Sequence, residues 1–314
     1  MEKKISFVIP CYRSEKTIKS VVGEIKETML KLSQYAYEII LVNDSSPDST
    51  FAAIREICEE NDNVTGVDMA KNFGQHSALM AGFGFVSGDV IVCLDDDGQT
   101  PADEVGKLIE KVEEGFDVVY ARYDDKKHSK FRNFGSNVNK RMTEQLLGKP
   151  KNLYVSSYFA AKRFVVEELL RYKNAYPYVI GLVLRTTNKI CNVDVKHRER
   201  EIGTSGYSLK KLTSLWINGF TSFSVKPLRF STFCGLMVAI AGFIYAIWTI
   251  INKFINPDVP VGWSSTISII LIIGGMILLM LGMVGEYIGR IYICINNSPQ
   301  YVIREVVMKR NNEE

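Results

Sequence analysis

The chain has 314 residues, a net charge of +3 and 46% hydrophobic residues, enough for one large domain or two smaller ones with a real core. So small a charge, with no block of like charges forming a basic tail, gives no reason to expect a nucleic-acid partner. The six cysteines, Cys11, Cys58, Cys93, Cys191, Cys234 and Cys294, make no C-x-x-C pair, which argues against a zinc site or a disulfide framework and fits a reducing compartment.

The first apolar run, Ile5–Pro10, is far shorter than the h-region of a signal peptide and reads as a strand. Glu38–Asn43, Val64–Met69, Val90–Leu94 and Asp117–Ala121 are further runs of strand length. Ile18, Val21, Val22, Ile25, Met29 and Leu32 recur at helical spacing between the first two strands. Asp48 or Ser49 can cap the next helix, and Thr100 followed by Pro101 marks another helix start. Strands alternating with helices predict an α/β layered sheet with parallel pairing. Beyond about Tyr123 the pattern weakens: Phe131–Leu147 and Phe164–Leu170 read as helices, Cys191–Val195 as a strand.

From Lys196 to Arg229 there are seven Lys or Arg against two Glu. Lys210, Lys211, Lys226 and Arg229, with Leu209, Leu212, Leu215, Trp216 and Phe220, predict an interfacial helix over 206–229. Two uncharged runs follow, 230–251 and 264–285, each of 22 residues. At about 1.5 Å per residue, each would reach roughly 33 Å, enough for a hydrocarbon core of about 30 Å. The connection 252–263 is rich in Asn, Pro and Gly, as suits a turn outside the membrane. Lys and Arg flank the hairpin while Lys253 alone lies in its loop, so the positive-inside rule puts both termini in the cytoplasm. The expected organisation is a catalytic domain over 1–205, the interfacial region, the hairpin over 230–285, and a cytoplasmic tail over 286–314.

Ligands of open α/β sheets bind beyond the carboxyl ends of the strands. Cys11–Glu15, Asp44–Ser46, Lys71–Gln75, Asp95–Gln99 and Arg122 all fall there. Three consecutive aspartates, Asp95, Asp96 and Asp97, repel one another unless something offsets their charge. A bound Mg²⁺ or Mn²⁺ would do so, since such ions prefer carboxylate oxygens and keep positions for diphosphate oxygens. On an extended segment Asp95 and Asp97 would point one way and Asp96 the other. The Asp44 carboxylate would accept hydrogen bonds from a base or ribose, or else serve an Asx-turn or helix cap.

Phe7-Val8-Ile9-Pro10-Cys11-Tyr12 with Glu15, then Leu41-Val42-Asn43-Asp44-Ser45-Ser46, then Asp95-x-Asp97-x-Gln99-x-Pro101, resemble family 2 glycosyltransferases of the GT-A fold. Arg200-x-x-Gly203-x-Ser205-x-Tyr207-Ser208, Gly285-Glu286-Tyr287-Ile288-Gly289-Arg290 and Pro299-Gln300-Tyr301 extend the resemblance to the polyprenyl-phosphate glycosyltransferases, over nearly the whole chain. The resemblance implies a Rossmann-like, mostly parallel sheet. It puts Pro10, Tyr12, Glu15, Asp44, Asp95 and Asp96 around a nucleotide sugar, and Asp95, Asp97 and Gln99 at the metal. It gives Arg122, Arg132, Ser136 and Arg200 to phosphates, including that of the lipid acceptor. Guanidinium groups suit that task through bidentate contacts. Where many relatives carry an acidic residue, this chain has Ser156-Ser157-Tyr158-Phe159. A carboxylate base is dispensable there, because a phosphate monoester is already anionic near neutral pH, with a second pKa of about 6.

These features predict inverting transfer of one sugar from a nucleotide diphosphate sugar to polyprenyl (undecaprenyl) phosphate at the bacterial cytoplasmic membrane. The donor would be a UDP-sugar, with GDP-mannose as the alternative, and relatives assemble as dimers or tetramers. A processive synthase would need a Q-x-x-R-W motif and further spans, which this chain lacks. A nucleotidyltransferase would have no use for a membrane hairpin. A silent nucleotide-binding scaffold would have no use for an intact Asp95, Asp97 and Gln99.

Overall fold

The computed structural model describes residues 3–123, 149–196, 226–255, 262–296 and 298–309. The chain forms two compact units: Met1–Tyr207 together with Asn297–Glu314, and Ser208–Asn296.

In the first unit, β1 (Lys4–Cys11), β2 (Ala36–Asn43), β3 (Val64–Met69) and β4 (Val90–Cys93) alternate with α1 (Ile18–Lys31), α2 (Thr50–Glu60) and α3 (Gln75–Phe83). A 3₁₀ turn, Ala102–Glu104, leads into α4 (Val105–Glu113), followed by β5 (Val118–Tyr123). Then come β6 (Phe159–Lys162), α5 (Arg163–Leu170), α6 (Val179–Thr186), β7 (Ile190–Val195) and, after the second unit, β8 (Ile303–Met308). The eight strands lie in the order β7-β5-β6-β4-β1-β2-β3-β8. Strands β1 to β4 pair in parallel, as does β5 with β7. Strand β6 is antiparallel to β4 and β5, and β8 is antiparallel to β3.

The helical spacing of α1 buries Ile18, Val21, Val22, Ile25 and Met29 against one face of the sheet, where they join Phe7, Ile9, Ile39 and Leu41. On α3, Gly82 lets the helix approach closely: a Cβ there would stand 2.5 Å from Val8 Cγ1 and 2.9 Å from Val42 Cγ2. Asp48 makes the bonds at the start of α2, its Oδ1 accepting from the Thr50 amide and hydroxyl, while Ser49 occupies the N-cap position without a capping bond.

Three elements were not expected. Strand β6 is four residues long and contains two alanines, too short and too small to carry a strand pattern. Helix α6 is a short apolar run whose period is not decisive. Strand β8 lies within the stretch expected as a C-terminal tail; that stretch instead returns to the first unit as the edge of its sheet.

In the second unit, α7 (Lys226–Ile255) and α8 (Trp263–Ile295) enclose the two uncharged runs. Gly235 of α7 lies against α8, where a Cβ would come within 2.5 Å of Met280 Cε. Phe243, Ile244, Leu278 and Leu279 are exposed. By length and composition, Ile272–Ile295 can cross a membrane, and Gly235–Tyr245 is a shorter apolar stretch. The helix expected over Phe131–Leu147, the interfacial region as far as 225, and part of the hairpin loop lie outside the described residues.

Candidate active site

Because β4, β1, β2 and β3 are adjacent and parallel, their carboxyl ends release four loops at one edge of the sheet. Pro10 is the penultimate residue of β1, paired with Val42, so Tyr12 and Arg13 stand just past the strand end. Arg13 and Ser45 adopt φ of 60° and 50°, a left-handed conformation that costs a residue with a side chain about 1–3 kcal/mol. Bonds between the loops hold it. The Arg13 amide donates to Ser46 Oγ at 2.8 Å, and the Ser14 amide to Thr50 Oγ1 at 2.9 Å. Glu15 accepts the Ser49 amide at 3.0 Å, so its carboxylate ties the first loop to the start of α2.

The acidic run begins where β4 ends. The chain leaves the extended conformation after Cys93, and Asp96 and Asp97 lie in a turn followed by Gly98 at φ 73°. The alternation expected for Asp95, Asp96 and Asp97 therefore does not hold, since it requires a continuing strand. Asp95 Oδ1 accepts Gln75 Nε2 at 2.9 Å and its Oδ2 accepts the Ser157 hydroxyl. Asp96 Oδ2 accepts the Tyr12 amide at 2.8 Å, joining β4 to the β1 loop. Asp97 Oδ1 accepts the Gln99 amide at 3.0 Å. Burial pushes the Asp95 carboxyl up to about 6; the bonds from Ser157 and Gln75 oppose the rise, while the Asp97 and Asp96 charges add to it. Burial also raises Asp96, against the pull of the Tyr12 amide.

Among the described residues no three His, Cys, Asp or Glu side chains converge as a cage. Asp95, Asp97 and Gln99 nonetheless present hard oxygen donors on one loop. That set fits Mg²⁺ or Mn²⁺, which bind through one or two carboxylates and complete their shell with substrate phosphates and water.

Asp44 is buried, and both its oxygens accept backbone amides: Phe73 at 2.7 Å and Gly74 at 2.9 Å. Gly74 is the N-cap residue of α3, so Asp44 serves a helix start. Asp44 thereby ties the end of β2 to the segment that leads into α3. Burial raises its pKa against those two bonds. Arg122 faces Asp194 across the β5–β7 pair and grips it with two bonds, Nε to Oδ1 at 2.5 Å and Nη2 to Oδ2 at 2.8 Å. Arg132, Ser136 and Arg200 lie outside the described residues.

The structure adds residues that sequence reasoning did not assign. Gln75 and Ser157 hold Asp95; Gln75 carried a signal in its place after β3, and Ser157 carried none beyond a missing carboxylate. Asn43, Asp68 and Arg304 form a polar chain, buried at Asn43 and Asp68 and exposed at Arg304, whose ends are 261 positions apart, a distance no local pattern spans.

Residues 6–170 match the glycosyl transferase family 2 profile, and residues 226–291 match a profile described as the GtrB C-terminal hairpin. The undecaprenyl-phosphate 4-deoxy-4-formamido-L-arabinose transferase of Serratia proteamaculans is 34% identical over 314 residues, covering 99% of this chain and 96% of that protein. Its counterpart from Photorhabdus laumondii is 33% identical, covering 97% of this chain and 94% of that one. Among solved structures, glucosyl-3-phosphoglycerate synthase from Mycobacterium tuberculosis, crystallised with Mn²⁺ and UDP-glucose, aligns with a TM-score of 0.52 at 21% identity. That alignment covers 68% of this chain and 75% of that one, and it shows a shared GT-A fold. A parallel sheet opening at its carboxyl edge onto an acidic turn, the profile over 6–170 and full-length relatives agree: the chain is a glycosyltransferase belonging to glycosyl transferase family 2.

Proposed function

We propose that this enzyme transfers one sugar from a nucleotide diphosphate sugar to undecaprenyl phosphate, with inversion at the anomeric carbon, on the cytoplasmic face of a bacterial membrane. The observation that carries the proposal is the joining, in one chain, of the strand-end acidic turn and a helical hairpin with exposed apolar side chains. The acceptor class is taken from the names of relatives that match over at least 94% of their length. Two spans, 230–251 and 264–285, would anchor the enzyme in the leaflet where a polyprenyl chain is dissolved, with both termini cytoplasmic.

The donor would lie over the loops that carry Tyr12, Glu15, Asp44 and Asp96, whose bonds to one another fix the floor of the crevice. Asp95, Asp97 and Gln99 would hold a divalent metal. When bound, that ion neutralises charge on the departing diphosphate. The acceptor phosphate oxygen is the nucleophile and forms the new bond to the anomeric carbon as the bond to the diphosphate breaks. Arg122 is 49% exposed and its partner Asp194 58%, and such an ion pair contributes about 0–1 kcal/mol. Exchanging Asp194 for a phosphate therefore costs little, and Arg122, with Arg132, Ser136 and Arg200, would orient the nucleophile. Ser157 donates its hydroxyl to Asp95, and an acceptor phosphate, already anionic near neutral pH, would need no base at that position.

The test is full-length protein in detergent with undecaprenyl phosphate, Mg²⁺ or Mn²⁺, and a panel of labelled donors. The panel contains UDP-glucose, a UDP-amino sugar, nucleotide-activated 4-deoxy-4-formamido-L-arabinose, and GDP-mannose. One donor is expected to give label in the lipid extract. Label from GDP-mannose alone would establish the mannosyl reading, and nucleotide binding with no transfer from any donor would leave a scaffold.

A further inference from the structure

Strand β8 follows the hairpin, yet it is bonded into the donor side of the catalytic unit. Val302 accepts the Ala70 amide at 2.8 Å, just before β8 pairs with β3. The two nitrogen arms of Arg304 then divide. Nη1 meets Asp68 Oδ2 at 3.2 Å, and Nη2 donates to the Ala70 carbonyl at 2.8 Å. Ala70 opens the loop whose amides at Phe73 and Gly74 are held by Asp44. Gln300 adds a latch on the other flank, its Nε2 donating to the carbonyls of Tyr172 and Asn174 at 3.2 and 3.0 Å.

Asp68 is 4% exposed, and its second oxygen accepts Asn43 Nδ2 at 2.7 Å. Asn43 Oδ1 accepts the Ser46 amide at 3.2 Å, and Ser46 Oγ accepts the amide of Arg13. A continuous polar chain therefore runs from Arg304 through Asp68, Asn43 and Ser46 to Arg13. It ends on the two loops that hold left-handed residues, Arg13 and Ser45. A buried carboxylate stripped of its cation tends to reorganise its neighbours, because nothing else compensates its charge. Here the neighbours are the loops of the donor crevice.

We infer that Arg304 is a positioning residue for the nucleotide-sugar site, acting through Asp68 and Asn43 on the loop 43–46 and through Ala70 on the loop 70–74. The inference rests on the donor site proposed above. It makes the strand beyond the hairpin a working part of donor binding. Glu305 is the internal control. It lies on the same strand, opposite Asp68 in the β3–β8 ladder, and its side chain pairs with Arg55 of α2 at 3.0 Å rather than with a member of that chain.

The experiment titrates full-length wild type, Arg304→Gln, Asp68→Asn, the double variant and Glu305→Gln with UDP and, separately, with GDP by calorimetry. Thermal unfolding of each protein is recorded in parallel. Arg304→Gln is expected to weaken the nucleotide that wild type binds by about tenfold, and Asp68→Asn by a similar factor. The double variant should be no weaker than the worse single one, since the two residues belong to one chain of bonds. Arg304→Lys, which keeps the charge but loses the second arm, should recover part of the loss. Glu305→Gln should bind as wild type does. Equal weakening by Arg304→Gln and Glu305→Gln, additive losses in the double variant, or unchanged binding in Arg304→Gln would overturn the inference. Wild type binding neither nucleotide would instead sink the donor site on which it rests.

Discussion

The loops at the carboxyl edge of the sheet and the helical hairpin are held by opposite means. At the sheet edge, order comes from directional bonds: Tyr12 to Asp96, Arg13 to Ser46, Gln75 to Asp95, and Asp44 to the start of α3. In the hairpin, long helices satisfy their own backbone and present apolar side chains outward, Leu278 at 71% exposure among them. The first arrangement defines positions to fractions of an ångström and is sensitive to single atoms. The second depends on the solvent around it and tolerates change in detail while rejecting charge.

The largest effect should come from the directional side. Asp97→Asn removes a carboxylate charge from the acidic turn, and loss of metal-based charge stabilisation worth several kcal/mol predicts at least about a hundredfold fall in sugar transfer. Transfer assays with titrated Mn²⁺, alongside an unchanged melting temperature, would check it; near-normal turnover would remove Asp97 from the metal site.

Leu278→Lys probes the other side. On the surface of a soluble domain such a change stays within about 0.5 kcal/mol, whereas at the centre of a spanning helix it costs about 2.5–3.5 kcal/mol. The carbonate-resistant membrane fraction should fall clearly. Full retention would mean that this face of α8 does not meet lipid.

Two glycines sharpen the contrast. Gly82→Ala drives a methyl into Val8 and Val42 and should destabilise the catalytic unit by about 1–3 kcal/mol. Gly275→Ala on α8 meets nothing within 4 Å and should leave melting close to wild type. A reversed ranking would show that the sheet relaxes more easily than its packing implies.

A separate effect is a pH dependence at His76, on α3. Burial lowers its pKa from 6.5 to about 4, and it packs edge-on against Tyr178 at 5.1 Å. The neutral ring is the folded form, so its contribution is complete above pH 6.5. It declines as pH falls toward 4, where the unfolded chain takes up a proton first. His76→Phe should flatten the melting temperature over that interval, and an unchanged slope would place the acid sensitivity elsewhere.

Much of this contrast was legible beforehand. The first five strands lie where the apolar runs were, and α1 shows the face its spacing indicated. The acidic turn stands at the end of β4, as its position required. What local pattern could not supply were contacts between distant segments. The β5–β7 register sets Asp194 opposite Arg122, a pairing between segments far apart in sequence. Both oxygens of Asp44 meet the segment leading into α3, which nothing in the stretch around β2 indicates.

Composition and periodicity alone determined the α/β catalytic part, the hard-oxygen turn and the long uncharged runs. Each of these is written in a single stretch of chain as apolar spacing or as adjacent charges. Only tertiary structure decided that β6 enters antiparallel between β4 and β5, that Ser157 and Gln75 take both oxygens of Asp95, and that β8 closes the sheet beside β3. Those outcomes depend on strand register and on buried polar groups finding partners, and both are settled only when segments far apart in sequence pack together.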